Sequence, residues 1–237
     1  MPNANWKLGT HFVRRVRFPT GREPPQGAVT AAFTWSRVMK VGVLAVQGAF
    51  AEMAAHWREK GAETFEIRQR DDLERGMDLL ALPGGESTVQ GKLLHDLGLF
   101  APLKERIDGG LPVFATCAGL ILLAEKIEDP GSRTATRPEQ WFGVLPVAVR
   151  RNAYGRQLGS FTTVGTFDGK PNVPMTFIRA PAITEVLSPD VEVLSVFKSA
   201  PTAVRWRNIT AFTWHPELNA AAVLAVSRMG RRYRLNL

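Results

Sequence analysis

The chain has 237 residues, of which 45% are hydrophobic, one cysteine, and a formal net charge of +8 at pH 7. This length fits one α/β domain with an appendage. A single cysteine excludes a disulfide framework within the chain and any Cys-rich metal site, and it fits a reducing, cytosolic setting. No apolar run approaches the roughly 18 residues of a membrane span, so no membrane association is expected.

The positive charge is unevenly placed. Residues 1–38 carry six Lys and Arg side chains against Glu23 alone. They also hold Pro19, Pro24, Pro25, Gly21 and Gly27 and show no sustained periodicity, which is the composition of a tail. A disordered basic extension is favoured over a nucleic-acid arm, so no nucleic-acid partner is expected. Strand character begins abruptly at Met39, which is read as the natural start. An Arg-rich targeting peptide is the rival reading, and the segment has no apolar region suited to secretion. His11 lies in this tail.

From Met39 onward strands and helices alternate. The elements expected are a strand at 41–46, a helix at about 50–60, a strand near 63–67 and a strand from Met77 to Leu82. A helix follows from Ser87 or Thr88 to about Leu97, with a shorter one near 101–108. A strand at 112–116 ends at Cys117, and a helix runs on to about Lys126. This order implies a mostly parallel sheet covered by helices, a three-layer α/β/α fold of flavodoxin-like type. Residues 127–140 read as a surface loop. Short strands follow at 144–149, 161–166, 175–178, 191–197, 203–207 and 209–213. A final helix is expected at about 216–230, before a basic tail at 231–237. The domain is bounded at 39–230, and no internal repeat is visible.

In open parallel sheets, ligands bind at the carboxyl ends of strands, and three motifs fall there. The first is Leu82-Pro83-Gly84-Gly85-Glu86-Ser87, the second Thr116-Cys117-Ala118-Gly119, and the third Trp214-His215-Pro216-Glu217. Cys117 stands where a buried strand turns sharply into a helix, and the helix N–H groups favour a thiolate beside them. A cysteine nucleophile needs a base in reach and a group that orients the base. His215 supplies the imidazole, and Glu217, held by Pro216, can fix its tautomer. Gly85 lets a backbone N–H approach an oxyanion without a Cβ in the way, and the N–H of Ala118 is the natural second donor.

Each motif alone has a bland reading: a buried small hydrophobe, a turn, or a helix start with Pro in its first turn. Together, in this order on this strand pattern, they point to a Cys-His-Glu hydrolase. His56 and His95 read as exposed helix residues. No His/Asp/Glu cluster has metal-ligand spacing, and no cofactor is expected.

The three motifs together resemble the class I (triad-type) glutamine amidotransferases. Finer motifs are similar to one branch, the glutaminase subunit of pyridoxal 5'-phosphate synthase. These are Val43-Leu44-Ala45-Val46-Gln47-Gly48-Ala49, Gly85-Glu86-Ser87-Thr88, Arg151-Asn152-Ala153-Tyr154-Gly155-Arg156-Gln157 and Phe177-Ile178-Arg179-Ala180-Pro181. The resemblance covers about residues 39–230. It implies that Cys117 attacks the side-chain amide of L-glutamine, forming a thioester and releasing ammonia, with His215 as base and proton donor and Glu217 as its orienter. It further implies that Gly85, Glu86, Ser87, Arg151, Ile178 and Arg179 bind glutamine, with Gly85 and Ala118 at the oxyanion. Gln47-Gly48 would lie near the active site, at the interface with the partner. That partner would be a (β/α)₈-barrel synthase subunit that receives the ammonia, in an assembly of twelve synthase and twelve glutaminase chains.

The chain departs from the family pattern at Ala115, where Gly is commoner, and at Met53, where His is common. It departs again at Asn219-Ala220-Ala221-Ala222, and the 1–38 extension has no family counterpart. Two other readings use the same fold: a glutaminase serving another synthase, and a scaffold subunit without activity.

Overall fold

The computed structural model describes residues 38–128, 141–153 and 160–219. In chain order its first elements are β1 (Lys40–Leu44), α1 (Phe50–Glu59), β2 (Glu63–Ile67), β3 (Leu79–Leu82), α2 (Ser87–Asp96) and α3 (Phe100–Asp108). There follow β4 (Val113–Thr116), α4 (Ala118–Leu123), β5 (Ala124–Glu128), β6 (Leu145–Arg150), β7 (Ser160–Phe167) and β8 (Lys170–Ile178). The last strands are β9 (Ala182–Val186), β10 (Glu192–Phe197), β11 (Ala200–Trp206) and β12 (Ile209–Phe212). Short 3-10 turns lie at Arg70–Arg75 and Pro216–Leu218.

Seven strands form the central sheet, in the order β10-β11-β12-β4-β3-β1-β2. The five from β12 to β2 pair in parallel, and β11 and β10 extend the sheet antiparallel. Counted among themselves, the parallel strands have the order 2-1-3-4-5, the flavodoxin-like arrangement. Its strand order reverses between β1 and β3, and ligands bind at that switch point.

Strand alternation builds one core on each side of this sheet. Leu80 and Leu82 of β3, Val113 and Ala115 of β4, and Ile209 and Ala211 of β12 face α2–α4 and the smaller sheet β5-β6-β9. Leu79 and Ala81, Phe114 and Phe212 face the other way. They pack against Met53, Ala54 and Trp57 of α1 and against Phe167, Val173, Met175 and Phe177 of the β7–β8 hairpin. The second outer layer is therefore a helix and a hairpin together.

Most expected elements stand within one or two residues of their expected bounds, and the differences have physical causes. The helix after Cys117 stops at Leu123, not Lys126, because Ala124–Glu128 pairs in parallel with β6. This strand also takes up the first two residues of the expected loop. Ala182–Val186 was not anticipated as a strand; it is held by antiparallel pairing to β6 rather than by its own pattern. β8 begins at Lys170, five residues before the expected start, because the hairpin pairs Phe167 with Lys170 across a tight turn. His56 is buried, 2% exposed, against the expectation of an exposed helix residue, whereas His95 is exposed as expected.

The basic extension through residue 37 with His11, most of the 127–140 loop, residues 154–157 of the Arg-Asn-Ala-Tyr-Gly-Arg-Gln motif, the 216–230 helix beyond Asn219 and the 231–237 tail lie outside the described residues. No described helix is long and apolar enough to cross a membrane.

Candidate active site

Strand pairing runs right up to the nucleophile. The N–H of Cys117 donates to the carbonyl of Phe212 at 2.8 Å, continuing the β4–β12 ladder. The chain then reverses at Cys117 itself, with φ 50° and ψ −102°. A non-glycine residue in this region is strained, and such strain collects at functional sites where the surroundings enforce it. Here the enforcement is visible. The carbonyl of Cys117 accepts the N–H of Ile121 at 3.2 Å as α4 begins. A Cβ added at Gly119 would stand 2.3 Å from the carbonyl oxygen of Leu82. Only glycine lets α4 approach the end of β3 so closely. Ala115 sits on regular strand before the turn, paired with Leu82 and Ala211. Met53 is fully buried on the inner face of α1.

His215 follows β12 by three residues, and its N–H donates to the carbonyl of Thr176 in β8 at 2.8 Å. Pro216 opens a three-residue turn that brings Glu217 back under the ring. His215 Nδ1 and Glu217 Oε1 are 2.8 Å apart, with the His side chain 7% exposed and the Glu side chain fully buried. The other side of the ring lies against Gly84. Burial works against a charged ring, but hydrogen bonding to Cys117 and Glu217 and attraction to their negative charge outweigh it. They push His215 up to about 10. The raised pKa favours the charged imidazole at neutral pH.

The glutamine-site candidates line one cleft of about 380 Å³ together with Cys117 and His215: Gly85, Glu86, Ser87, Arg151, Ile178 and Arg179. The Glu86 carboxylate caps α2, accepting the N–H of Thr88 at 3.3 Å and of Val89 at 2.8 Å. Arg151 Nη1 donates to Thr88 Oγ1 at 2.6 Å and stands 4.0 Å from Glu86 Oε1. The thiol of Cys117 points to the carbonyl of Ile178 at 4.0 Å. Asn152 and Arg179 on the cleft wall, like Cys117, have positive φ, at 47° and 43°. Ala118 is buried at the start of α4, directly after the nucleophile.

Gly84 and Gly85 permit a close meeting with Gln47-Gly48 at the switch point. Ala49 N–H donates to the carbonyl of Gly84 at 2.9 Å, and Glu86 N–H donates to Gln47 Oε1 at 2.8 Å. A Cβ on Gly85 would lie 2.5 Å from that same Gln47 oxygen. Gln90, fully buried, donates from Nε2 to the carbonyl of Gln47 at 2.9 Å.

Three contributors escaped the sequence. Gln90 ties the two loops together, Thr88 holds Arg151, and Thr116 donates from Oγ1 to Glu217 Oε1 at 3.1 Å. Thr88 lay inside a quoted motif, so its place beside Glu86 was available. Thr116 likewise lay inside the cysteine motif, whereas nothing local marks Gln90.

The chain has relatives among known proteins. A protein of Desulfitobacterium hafniense (strain DSM 10664 / DCB-2), described as pyridoxal 5'-phosphate synthase subunit PdxT, is 51% identical over 181 residues, 76% of this chain and 87% of the relative. One of the same description from Streptococcus pneumoniae (strain CGSP14) is 47% identical over 189 residues, 78% and 93% of the two chains. Among solved structures, a crystal structure of a glutamine amidotransferase superposes with a TM-score of 0.70 at 36% identity, covering 80% of this chain and 98% of the other. The family model of the SNO glutamine amidotransferases matches residues 43–226, a span that takes in the elbow at Cys117, the cleft and the His215–Glu217 turn, and the chain belongs to that family.

Proposed function

We propose that the chain hydrolyses L-glutamine to L-glutamate and ammonia through Cys117, His215 and Glu217. We further propose that it delivers the ammonia to a synthase subunit for pyridoxal 5'-phosphate formation. The observation that carries the reading is the convergence in one cleft of a strained cysteine elbow and a buried His215 held on Glu217.

The chemistry follows from the placement. Cys117 Sγ attacks the side-chain amide carbon of glutamine, and the carbonyl oxygen becomes an oxyanion. Gly85 and Ala118 are the candidate donors for that charge. His215 gives its proton to the amide nitrogen, the carbon–nitrogen bond breaks, and ammonia leaves a thioester. His215, now neutral, takes a proton from water as the water attacks the thioester. The second intermediate collapses to glutamate and returns the thiolate–imidazolium pair. Glu217 holds Nδ1 throughout and offsets the positive ring. Arg151 and Arg179 are suited to the α-carboxylate of the substrate, and the Glu86 carboxylate to its α-amine.

The partner reading rests on the relatives' description as synthase subunits and on the sequence resemblance. It includes a (β/α)₈-barrel synthase chain and a twelve-plus-twelve assembly. The test is glutamate formation from L-glutamine, with and without the pyridoxal 5'-phosphate synthase subunit from the same source. Activation by that subunit is expected. Activity indifferent to it would leave the hydrolysis and remove the proposed partner. A folded protein inactive in both conditions would remove the hydrolysis.

A further inference from the structure

The residue before the nucleophile is fully buried at the end of β4, and its hydroxyl does not pair with backbone. Thr116 Oγ1 instead donates to Glu217 Oε1 at 3.1 Å, across 101 residues of sequence. That oxygen is the one that meets His215 Nδ1 at 2.8 Å. The other oxygen, Oε2, is buried without a partner. Among the described residues, the Thr116 hydroxyl and the imidazole are thus the two donors that meet this carboxylate.

We propose that Thr116 is a positioning residue for hydrolysis, fixing the Glu217 carboxylate so that Oε1 faces Nδ1 of His215. The proposal rests on the glutaminase reading of Cys117, His215 and Glu217. The terminal torsion of a glutamate is broad and poorly defined by itself. Glu217 stands on a three-residue 3-10 turn, so no longer helix of its own sets the orientation of its carboxylate. A buried carboxylate met by one donor is free to turn about that bond and is costly to keep ionised. A second donor on a rigid strand removes the freedom and helps to hold the charge. The strand is the one that carries the nucleophile, so the path Thr116–Glu217–His215–Cys117 begins and ends on consecutive residues. The base is thereby referenced to the backbone that places the sulfur.

The test compares Thr116→Val and Thr116→Ser with the unaltered full-length chain, each with Glu217 intact and with Glu217→Ala. Two readouts are used: steady-state glutamine hydrolysis, and alkylation of Cys117, the single cysteine, by iodoacetamide at pH 7. A hydrogen bond to a charged group is worth a factor of about ten or more. Thr116→Val should therefore lower kcat about tenfold with KM within about twofold, and should slow alkylation. Thr116→Ser should keep both near the unaltered values. In the Glu217→Ala background, Thr116→Val should cost nothing further, since its partner is already gone.

Unchanged kcat and alkylation in a folded Thr116→Val protein would overturn the proposal. So would the same tenfold loss on top of Glu217→Ala, which would show a role independent of that carboxylate. Thr116→Ala, which adds no packing demand, is read in the same way if Val disturbs the strand. If the unaltered chain alkylates readily but does not hydrolyse glutamine with or without the synthase subunit, the reaction reading fails by itself. Thr116 is then judged on alkylation alone, by the same pattern of loss, rescue and non-additivity.

Discussion

The imidazole of His215 occupies the space where any side chain on Gly84 would begin. A Cβ built there would stand 2.3 Å from Cε1 of His215 and 3.2 Å from Nδ1. Glycine is therefore required at this position by the base, independently of the turn's own geometry. The ring has little room to retreat, because Glu217 holds its Nδ1 and the His215 N–H is fixed on Thr176. Gly84→Ala should displace the ring and lower kcat by a factor of about a hundred or more, since a displacement of ~1 Å in a catalytic group is worth that much. Steady-state hydrolysis would measure this, with thermal unfolding alongside. A variant with near-normal kcat would mean that the ring is not where the reaction needs it.

The raised His215 pKa has a direct check. Burial lowers it, and the hydrogen bonds and charges of Cys117 and Glu217 more than reverse this. Removing the sulfur takes away one of the two raising partners and leaves the burial. In Cys117→Ala the imidazole NMR titration should therefore move down from about 10 in the unaltered chain. A linked effect on stability follows from the same shift. The folded-state pKa is raised, so the stabilisation is fully present below the ordinary histidine value of about 6.5 and is lost as pH rises towards about 10. Denaturant unfolding should show this high-pH loss in the unaltered chain and a smaller one in Cys117→Ala. An identical titration midpoint in both proteins would remove the sulfur from the pair.

Cys117→Ala should also release no ammonia from glutamine while keeping the fold. Cys117 is buried at the elbow, and Ala takes the same space apart from the sulfur. Residual hydrolysis in the purified variant would require another nucleophile and would end the thioester mechanism. Glu217→Gln should be milder in mechanism but still large. The neutral amide no longer offsets the imidazolium, and comparable changes in hydrolase triads lower kcat by about 10⁴.

How far the sequence carried differs from element to element. The elbow was legible because an apolar strand run meets Cys-Ala-Gly, and both the strand and the tight turn are local events. The His215–Glu217 step was legible because Pro216 fixes it locally, but the helix expected from about 216 is broken at once: Pro216–Leu218 is a 3-10 turn and Asn219 is extended. Which strands lie beside which was not, because the order around β1 and β3 comes from pairing between distant segments. β9 shows the limit: two of its five residues are exposed, two are half-buried and one is buried, so β6 rather than its own pattern makes it a strand. The Thr116–Glu217 and Gln90–Gln47 bonds cross 101 and 43 residues, and no local pattern announces them.

His56 is the instructive case. Met53, His56, Trp57 and Lys60 follow the i, i+3, i+4, i+7 spacing of a buried helical stripe, and all four are buried. The expectation of an exposed His56 went by residue type and was wrong, because its place in this stripe is what buries it.

That burial predicts how the protein meets acid. The His56 ring packs on Phe114 at 6.1 Å and edge-on to Trp57 at 5.5 Å, and neither ring nitrogen has a hydrogen-bond partner. Burial first, and the charge of Lys60 second, push its pKa down from 6.5 to about 4. The unfolded chain binds the proton near pH 6.5, whereas the folded chain resists until about pH 4. Stability must therefore fall as pH drops through that window and gain nothing further from this group above it. The loss attributable to His56 amounts to about 3 kcal/mol at most, from the size of the shift. His56→Leu, similar in volume and unable to charge, should remove this part of the acid sensitivity. Urea unfolding at pH 7, 5.5 and 4 would measure it: the gap in stability between variant and unaltered chain should widen steadily towards acid. A constant gap across the three pH values would mean that the folded protein admits a charged His56.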